Sequence, residues 1–287
     1  MDFEVVADTR CELGEGPIWH PIEKRVYWTD IHGRRLYWFD PGTGEHAPCD
    51  YEDQMVGGMT VQADGSLLLF REHGNIVVWR HDGVQKTIVE RIPGEEKHRF
   101  NDVWADPEGR VYCGVIGYNA EIGRLYRLDP DGTLTKLLDD IEVSNGMGLT
   151  PDGSRLYYTE SLKRTIWQFD YDRATGVLAN QRPFVKVPDD GGFPDGLAVD
   201  ARGRVWSARW DGWCMMCVGE DGQDVQSVKL PAKCVSSACF GGDELSQLYV
   251  TSAGGEDRST NGESAGSLIR VDAGVRGGTE YLSRIGL

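Results

Sequence analysis

Four short stretches of the chain place an oxygen-bearing side chain just ahead of an apolar run. They read LGEGPIW around Glu15, RFNDVW around Asn101, SNGMGL around Asn145 and FPDGLAV around Asp195. Carboxylate and amide oxygens are the donors that hard divalent cations such as Ca²⁺, Mg²⁺ and Mn²⁺ take up. Brought together, two carboxylates and two amides would repel and stay under-satisfied unless something positive sat among them. A set of three protein oxygens would leave coordination places for water and substrate, which is the arrangement of a catalytic ion. The chain has no His-Glu-x-x-His run and no clustered histidine pair, so a histidine-based zinc site is not indicated. Asn-Gly and Asp-Gly are also ordinary turn pairs. Glu15 is not explained that way, since glutamate is a poor turn former and here stands between Gly14 and Gly16.

Convergence requires a fold that carries these strand openings to one place. The chain repeats one pattern: a short apolar strand, a turn with Asp or Gly, and a second strand rich in Val, Leu, Tyr and Trp. The copies are GEGPIWHPIEKRVYWTD, GGMTVQADGSLLLF, NDVWADPEGRVYCGV, NGMGLTPDGSRLYYTE, DGLAVDARGRVWSAR and SACFGGDELSQLYVTS. Aligned on the residue that opens the first strand, they give Glu15, Gly57, Asn101, Asn145, Asp195 and Ser237, at intervals of 42, 44, 44, 50 and 42 residues. A period in the low forties with several strands per unit is the signature of propeller blades. The expected fold is therefore all-β, a six-bladed β-propeller with about four antiparallel strands per blade, forming one domain over residues 1–287. The lone strand FEVVAD near the amino terminus is expected to close the ring beside SLIRVD, leaving no open edge. In such a ring the first strand of every blade lines the axis, so the six opening residues share one channel.

Composition narrows the partners. The formal charge of −16 repels phosphate backbones and anionic membranes, so neither nucleic acid nor a membrane is an expected partner. MDFEVVAD lacks the basic start and apolar core of a leader, no stretch approaches a membrane span, and the seven scattered cysteines read as reduced thiols. These features point to a cytoplasmic location. Cys214 to Cys217 (CMMC) falls where a third strand is expected and reads as buried packing rather than a metal or redox pair. The polar run 254–267 reads as a mobile loop and a candidate lid, and Trp19, Trp104 or Trp210 would stack on a sugar if exposed. His98 reads as a loop residue without chemistry. Strand alternation aims Arg99 to the same side as Asn101 and directs Asp102 away from it.

LGEGPIWH, RFNDVWADPEGRVYCG, SNGMGLTPDG followed by LYYTES, and FPDGLAVDARGRVW together resemble the SMP-30/gluconolactonase/regucalcin-like family. The resemblance runs blade by blade over nearly the whole chain and is greatest to bacterial gluconolactonases, xylonolactonases and arabinolactonases. It implies one divalent metal on the axis, Ca²⁺ foremost with Fe²⁺, Zn²⁺, Mn²⁺ or Mg²⁺ as alternatives, held by Glu15, Asn145 and Asp195. It also implies that Arg99 and Asn101 hold the ring hydroxyls of a small sugar lactone. Animal members carry an acidic substrate-contacting residue in the loop that here reads GVIGYNAEIG; counting from RFND reaches Asn119, with Glu121 two residues on. The implied reaction is hydrolysis of a glucono-, xylono- or arabinono-lactone to its aldonic acid. The metal would polarise the carbonyl and activate water, with Asp195 as ligand and candidate general base. The rival readings are a non-catalytic calcium-binding regulator and a propeller scaffold, since fold alone does not decide function.

Overall fold

Each repeat folds into a four-stranded antiparallel sheet in a computed structural model that describes residues 1–51, 53–117 and 122–287. The second strands are largely buried because both faces are covered. Leu67–Arg71, for example, is buried at every position. The fourth strands face outward and turn polar, as in the mostly exposed Val177–Lys186. Apolar side chains fill a wedge between each pair of neighbouring blades. One wedge joins Trp206, Met215 and Cys217 of the fifth blade to Phe240, Leu248 and Ile269 of the sixth. Another joins Phe70 and Ile76 of the second to Phe100, Val111 and Leu128 of the third. The six sheets thus form the expected propeller, with the innermost strands of adjacent blades packed against one another around the axis.

The sixth sheet takes its outermost strand from the amino terminus. Phe3–Ala7 pairs antiparallel with Leu268–Val271, which places Phe3 opposite Val271 and Glu4 opposite Arg270. Sealing the first blade to the last in this way removes the free edge that would otherwise splay or aggregate. The carboxyl-terminal segment makes a second closure that the repeat pattern does not announce. It leaves the sixth blade and crosses the end of the channel remote from the slot residues. Gly277 N donates to Leu245 O (2.8 Å), Gly278 N to Val199 O (2.9 Å), Ser283 N to Val61 O (2.9 Å) and Arg284 N to Gly109 O (2.9 Å).

The segment 254–267, expected to be a mobile lid, is instead tied down. Arg258 pairs with Asp8 at 2.7 Å, Lys233 N donates to Asn261 O at 2.7 Å, and Gly254 N donates to Cys11 O at 2.9 Å. Its polar residues are spent on these anchors, and a short helix forms at Arg258–Asn261. Cys214–Val218 is the third strand of the fifth blade, and all seven cysteines are buried free thiols. Burial pushes the Cys217 thiol up to about 11, which leaves it unreactive. Among the described residues, no helix is long and apolar enough to cross a membrane.

Candidate active site

The innermost strands are Gly14–His20, Val56–Val61, Arg99–Ala105, Ser144–Leu149, Phe193–Val199 and Cys234–Gly241. Each slips register against its neighbour at the slot: between Glu15 and Ile18, Val56 and Gly58, Phe100 and Val103, Ser144 and Met147, Pro194 and Leu197, and Val235 and Ala238. A β-bulge of this kind leaves an unpaired residue, bends the strand and re-aims its side chain. The bulges leave Gly57, Asn101, Asn145, Asp195 and Ser237 outside the pairing ladder, whereas Glu15 stays paired with Thr29 at the edge of its bulge. Small residues are also required there. A Cβ on Gly57 would lie 1.8 Å from Phe100 O, and one on Gly196 would lie 2.1 Å from Ser237 Oγ, so the neighbouring strands approach each other through these glycines.

Four of the six slot side chains line one cavity of about 260 Å³. Its polar residues are Glu15, Arg99, Asn101, Asn145, Ser161 and Asp195, and its apolar ones are Leu13, Ile116, Val143, Leu162, Phe193 and Trp210. Gly57 contributes no side chain, and Ser237 faces a different cavity further down the axis. The polar members are locked into a chain of hydrogen bonds. Arg99 Nη1 donates to Asn101 Oδ1 (2.6 Å) and Phe100 O (2.9 Å). Asn101 Nδ2 donates to Ser144 O (2.8 Å) and to Asn145 Oδ1 (3.0 Å). Asn145 Nδ2 donates to Ser161 Oγ (2.9 Å), whose own hydroxyl donates to Pro194 O (2.6 Å). Both amide groups are thereby fixed in orientation. Each has a carbonyl oxygen with one lone pair still available; Asn101 uses both of its N–H donors and Asn145 uses one on Ser161.

The carboxylates are treated differently. Glu15 and Asp195 are only 4% and 5% exposed. Glu15 accepts a single bond from Gly16 N, at 3.3 Å. Among the described residues, Asp195 Oδ1 is buried with no hydrogen-bond partner. Burial pushes both carboxyls well above the usual carboxylate range; for Glu15 the charges of Asp195 and Asp102 add to it, and for Asp195 that of Asp102, while Arg99 opposes the shift in both. An orphaned carboxylate oxygen beside a second buried carboxylate and an oriented amide oxygen is a donor set that suits a hard cation.

Asp102 stays out of the slot cavity but remains near the axis. Alternation directs it away from the slot, yet it is 7% exposed and carries charge that Glu15 and Asp195 both feel. The bulge between Phe100 and Val103 leaves both Asn101 and Asp102 outside the pairing ladder. Asp102 belongs to the lower axial cavity of about 230 Å³, with Met147, Leu197, Ser237 and the tail residue Glu280. Burial raises its carboxyl to about 7. Among the described residues no three His, Cys, Asp or Glu side chains gather as a metal site. The candidate set of Glu15, Asp195 and Asn145 takes its third oxygen from an amide.

Of the three tryptophans considered for sugar stacking, Trp210 lines the candidate site, Trp19 is packed in the core and Trp104 faces the lower cavity against Tyr281. Asn119 and Glu121 lie outside the described residues. His98 is buried and paired with Glu95, which also accepts from Arg124 (2.8 Å) and Tyr126 (2.5 Å) and so anchors the loop leading into Arg99. Ser161 is the polar residue that sequence reading missed. It stands in the turn after a second strand, outside the repeated slot, and only its Ser-after-Glu position in LYYTES marked it.

The chain matches the family model described as SMP-30/Gluconolactonase/LRE-like region over residues 13–254. It is 44% identical to the pentonolactonase XacC of Haloferax volcanii, with 100% of both chains covered. It is 32% identical to regucalcin of Gallus gallus over 98% of each chain. The solved structure of the calcium-binding protein regucalcin from Agrobacterium tumefaciens superposes with a TM-score of 0.90 at 26% identity, covering 98% of this chain and 97% of that one. With all six slot residues in the matched region, the chain belongs to the SMP-30/gluconolactonase family.

Proposed function

We propose that this protein hydrolyses sugar lactones to aldonic acids with one divalent cation, Ca²⁺ foremost, held by Glu15, Asn145 and Asp195. The observation that carries the reading is the orphaned Asp195 Oδ1, buried in one cavity with a second carboxylate, an oriented amide oxygen and the Arg99 guanidinium. The similarity to a pentonolactonase supports the substrate class and favours pentonolactones. When bound, such a cation polarises the lactone carbonyl and stabilises the oxyanion formed as water adds.

The chain's own residues supply the rest. Arg99, braced on Asn101 Oδ1 and Phe100 O, stands in the cavity where a guanidinium can donate to ring hydroxyls. Asn101 has committed its N–H groups, so its part toward substrate is to accept from a hydroxyl through Oδ1. Asp195 orients the attacking water and takes its proton as oxygen bonds to the carbonyl carbon. The same proton passes to the ring oxygen when the C–O bond breaks. Two effects act on its basicity: ligation lowers it, while burial beside Asp102 raises it.

The test is a panel of pentono- and hexono-lactones incubated with and without chelator, following acid release. Chelator-sensitive hydrolysis is expected; absence of hydrolysis across the panel would sink the enzyme reading. The likeness to regucalcins supports a second reading, a calcium-binding protein without turnover. Tight calcium binding measured calorimetrically on protein that hydrolyses no lactone would favour it.

A further inference from the structure

The candidate site has two unlike halves. Its polar residues sit at the slot, on the innermost strands, apart from Ser161. Its apolar residues sit at strand ends and turns on the mouth side: Val143 precedes Ser144–Leu149, Phe193 opens Phe193–Val199, Ile116 and Trp210 end second strands, and Leu162 lies in the turn after another. Leu162 is 53% exposed, although leucine at a rim with no partner gains little from that position. Arg164 lies over the Phe193 ring at 4.2 Å and donates to Gly192 O (2.6 Å) and Asp189 O (2.5 Å).

A lactone bound with its carbonyl and ring hydroxyls on the polar floor must direct its remaining carbon chain toward this mouth. There, among the described residues, a terminal hydroxyl would lose water against Leu162, Phe193 and Trp210 without gaining a partner. A methyl group would gain apolar contact. We infer that the apolar mouth selects lactones whose chain ends in a methyl group, the 6-deoxyhexonolactones, over their 6-hydroxy counterparts, with Leu162 as a specificity-determining residue. The inference rests on the lactonase reading and extends it to a substrate class.

A matched pair tests it: fucono-1,4-lactone and galactono-1,4-lactone share every ring centre and differ only by the terminal hydroxyl. The D and L forms of the pair cover either ring configuration, and xylono- and arabinono-lactone serve as controls. The expected result is a kcat/KM about tenfold higher for the deoxy lactone, about one part in ten of which survives in Leu162→Asn. Leu162 is exposed enough for that variant to fold, and its melting temperature checks this. Equal or better use of galactonolactone, an unchanged ratio in Leu162→Asn, or hydrolysis of pentonolactones with neither deoxy lactone accepted would overturn the inference and leave the lactonase reading standing. Failure to hydrolyse any lactone with added Ca²⁺, Mn²⁺ or Zn²⁺ would overturn both.

Discussion

Asp195 and Asp200 lie at opposite ends of one innermost strand, both buried, and they are built for opposite purposes. Asp200 is 0% exposed and fully partnered. Its Oδ1 accepts from Arg202 N (2.8 Å) and Arg204 N (3.1 Å), and its Oδ2 from Arg204 Nε (2.7 Å) and Trp206 Nε1 (3.0 Å). Asp106 repeats the design in the third blade, with Arg110 Nε at 2.6 Å and the Tyr171 hydroxyl at 2.8 Å. Asp195 keeps an oxygen with no partner among the described residues and has another carboxylate in its cavity. A satisfied buried carboxylate holds a turn together; an unsatisfied one costs stability and persists where a ligand completes it.

The sharpest way to break this contrast is Asp195→Ala. Turnover is expected to fall about a thousandfold, with loss of cation binding by calorimetry, while the chelated protein melts no lower than the parent. Full activity in that variant would remove Asp195 from the chemistry. Asp200→Ala should do the reverse: an unfolding free energy lower by about 3–5 kcal/mol in urea, with activity per folded molecule retained. A melt unchanged by that substitution would erase the distinction between the two ends. Arg99→Leu is expected to raise KM about tenfold with a smaller change in kcat, because a charged donor to substrate is lost. An unchanged KM on every accepted lactone would exclude it from the site.

The smallest effect is a pH dependence of the chelated protein. Asp102 titrates near 7 when folded and at about 4 when unfolded. Between those values the folded chain holds a proton that the unfolded chain has lost, so stability falls as pH rises from about 4 to about 7. Glu15 and Asp195 are shifted the same way, so they add to the slope. The melting temperature should drop by a few degrees from pH 5 to pH 8, less so in Asp102→Asn, and adding a divalent cation should raise it more at pH 8. A chelated protein that melts higher at pH 8 than at pH 5 would contradict the assigned direction.

Much of this was legible in the residues. The period of 42 to 50 residues marks the blades and aligns Glu15, Asn101, Asn145 and Asp195 in one slot, all four of which line the same cavity. FEVVAD finds its partner in SLIRVD as the closure of a ring requires. Alternation kept Asp102 out of the slot cavity but gave no sign that its charge would reach Glu15 and Asp195, because the bulge beside it is a feature of pairing, invisible in a single strand. Composition alone made 254–267 look mobile, since polar residues read alike whether they face water or anchor to Asp8 and Cys11.

The sequence by itself determined the propeller, its closing strand and the chemical types at the slot, because period, turn residues and strand patterning act over neighbouring residues. Only the tertiary structure decided which donors remain free. Asn101 uses its N–H groups on the fourth blade, Asn145 donates to Ser161, Asp195 is left among the described residues with an open oxygen, and Asp102 lines the next cavity along the axis. It also decided that apolar side chains from separate blades meet as one wall and that the tail crosses the far end of the channel. These outcomes depend on contacts between residues tens to hundreds of positions apart, whose geometry is set only once the ring is closed.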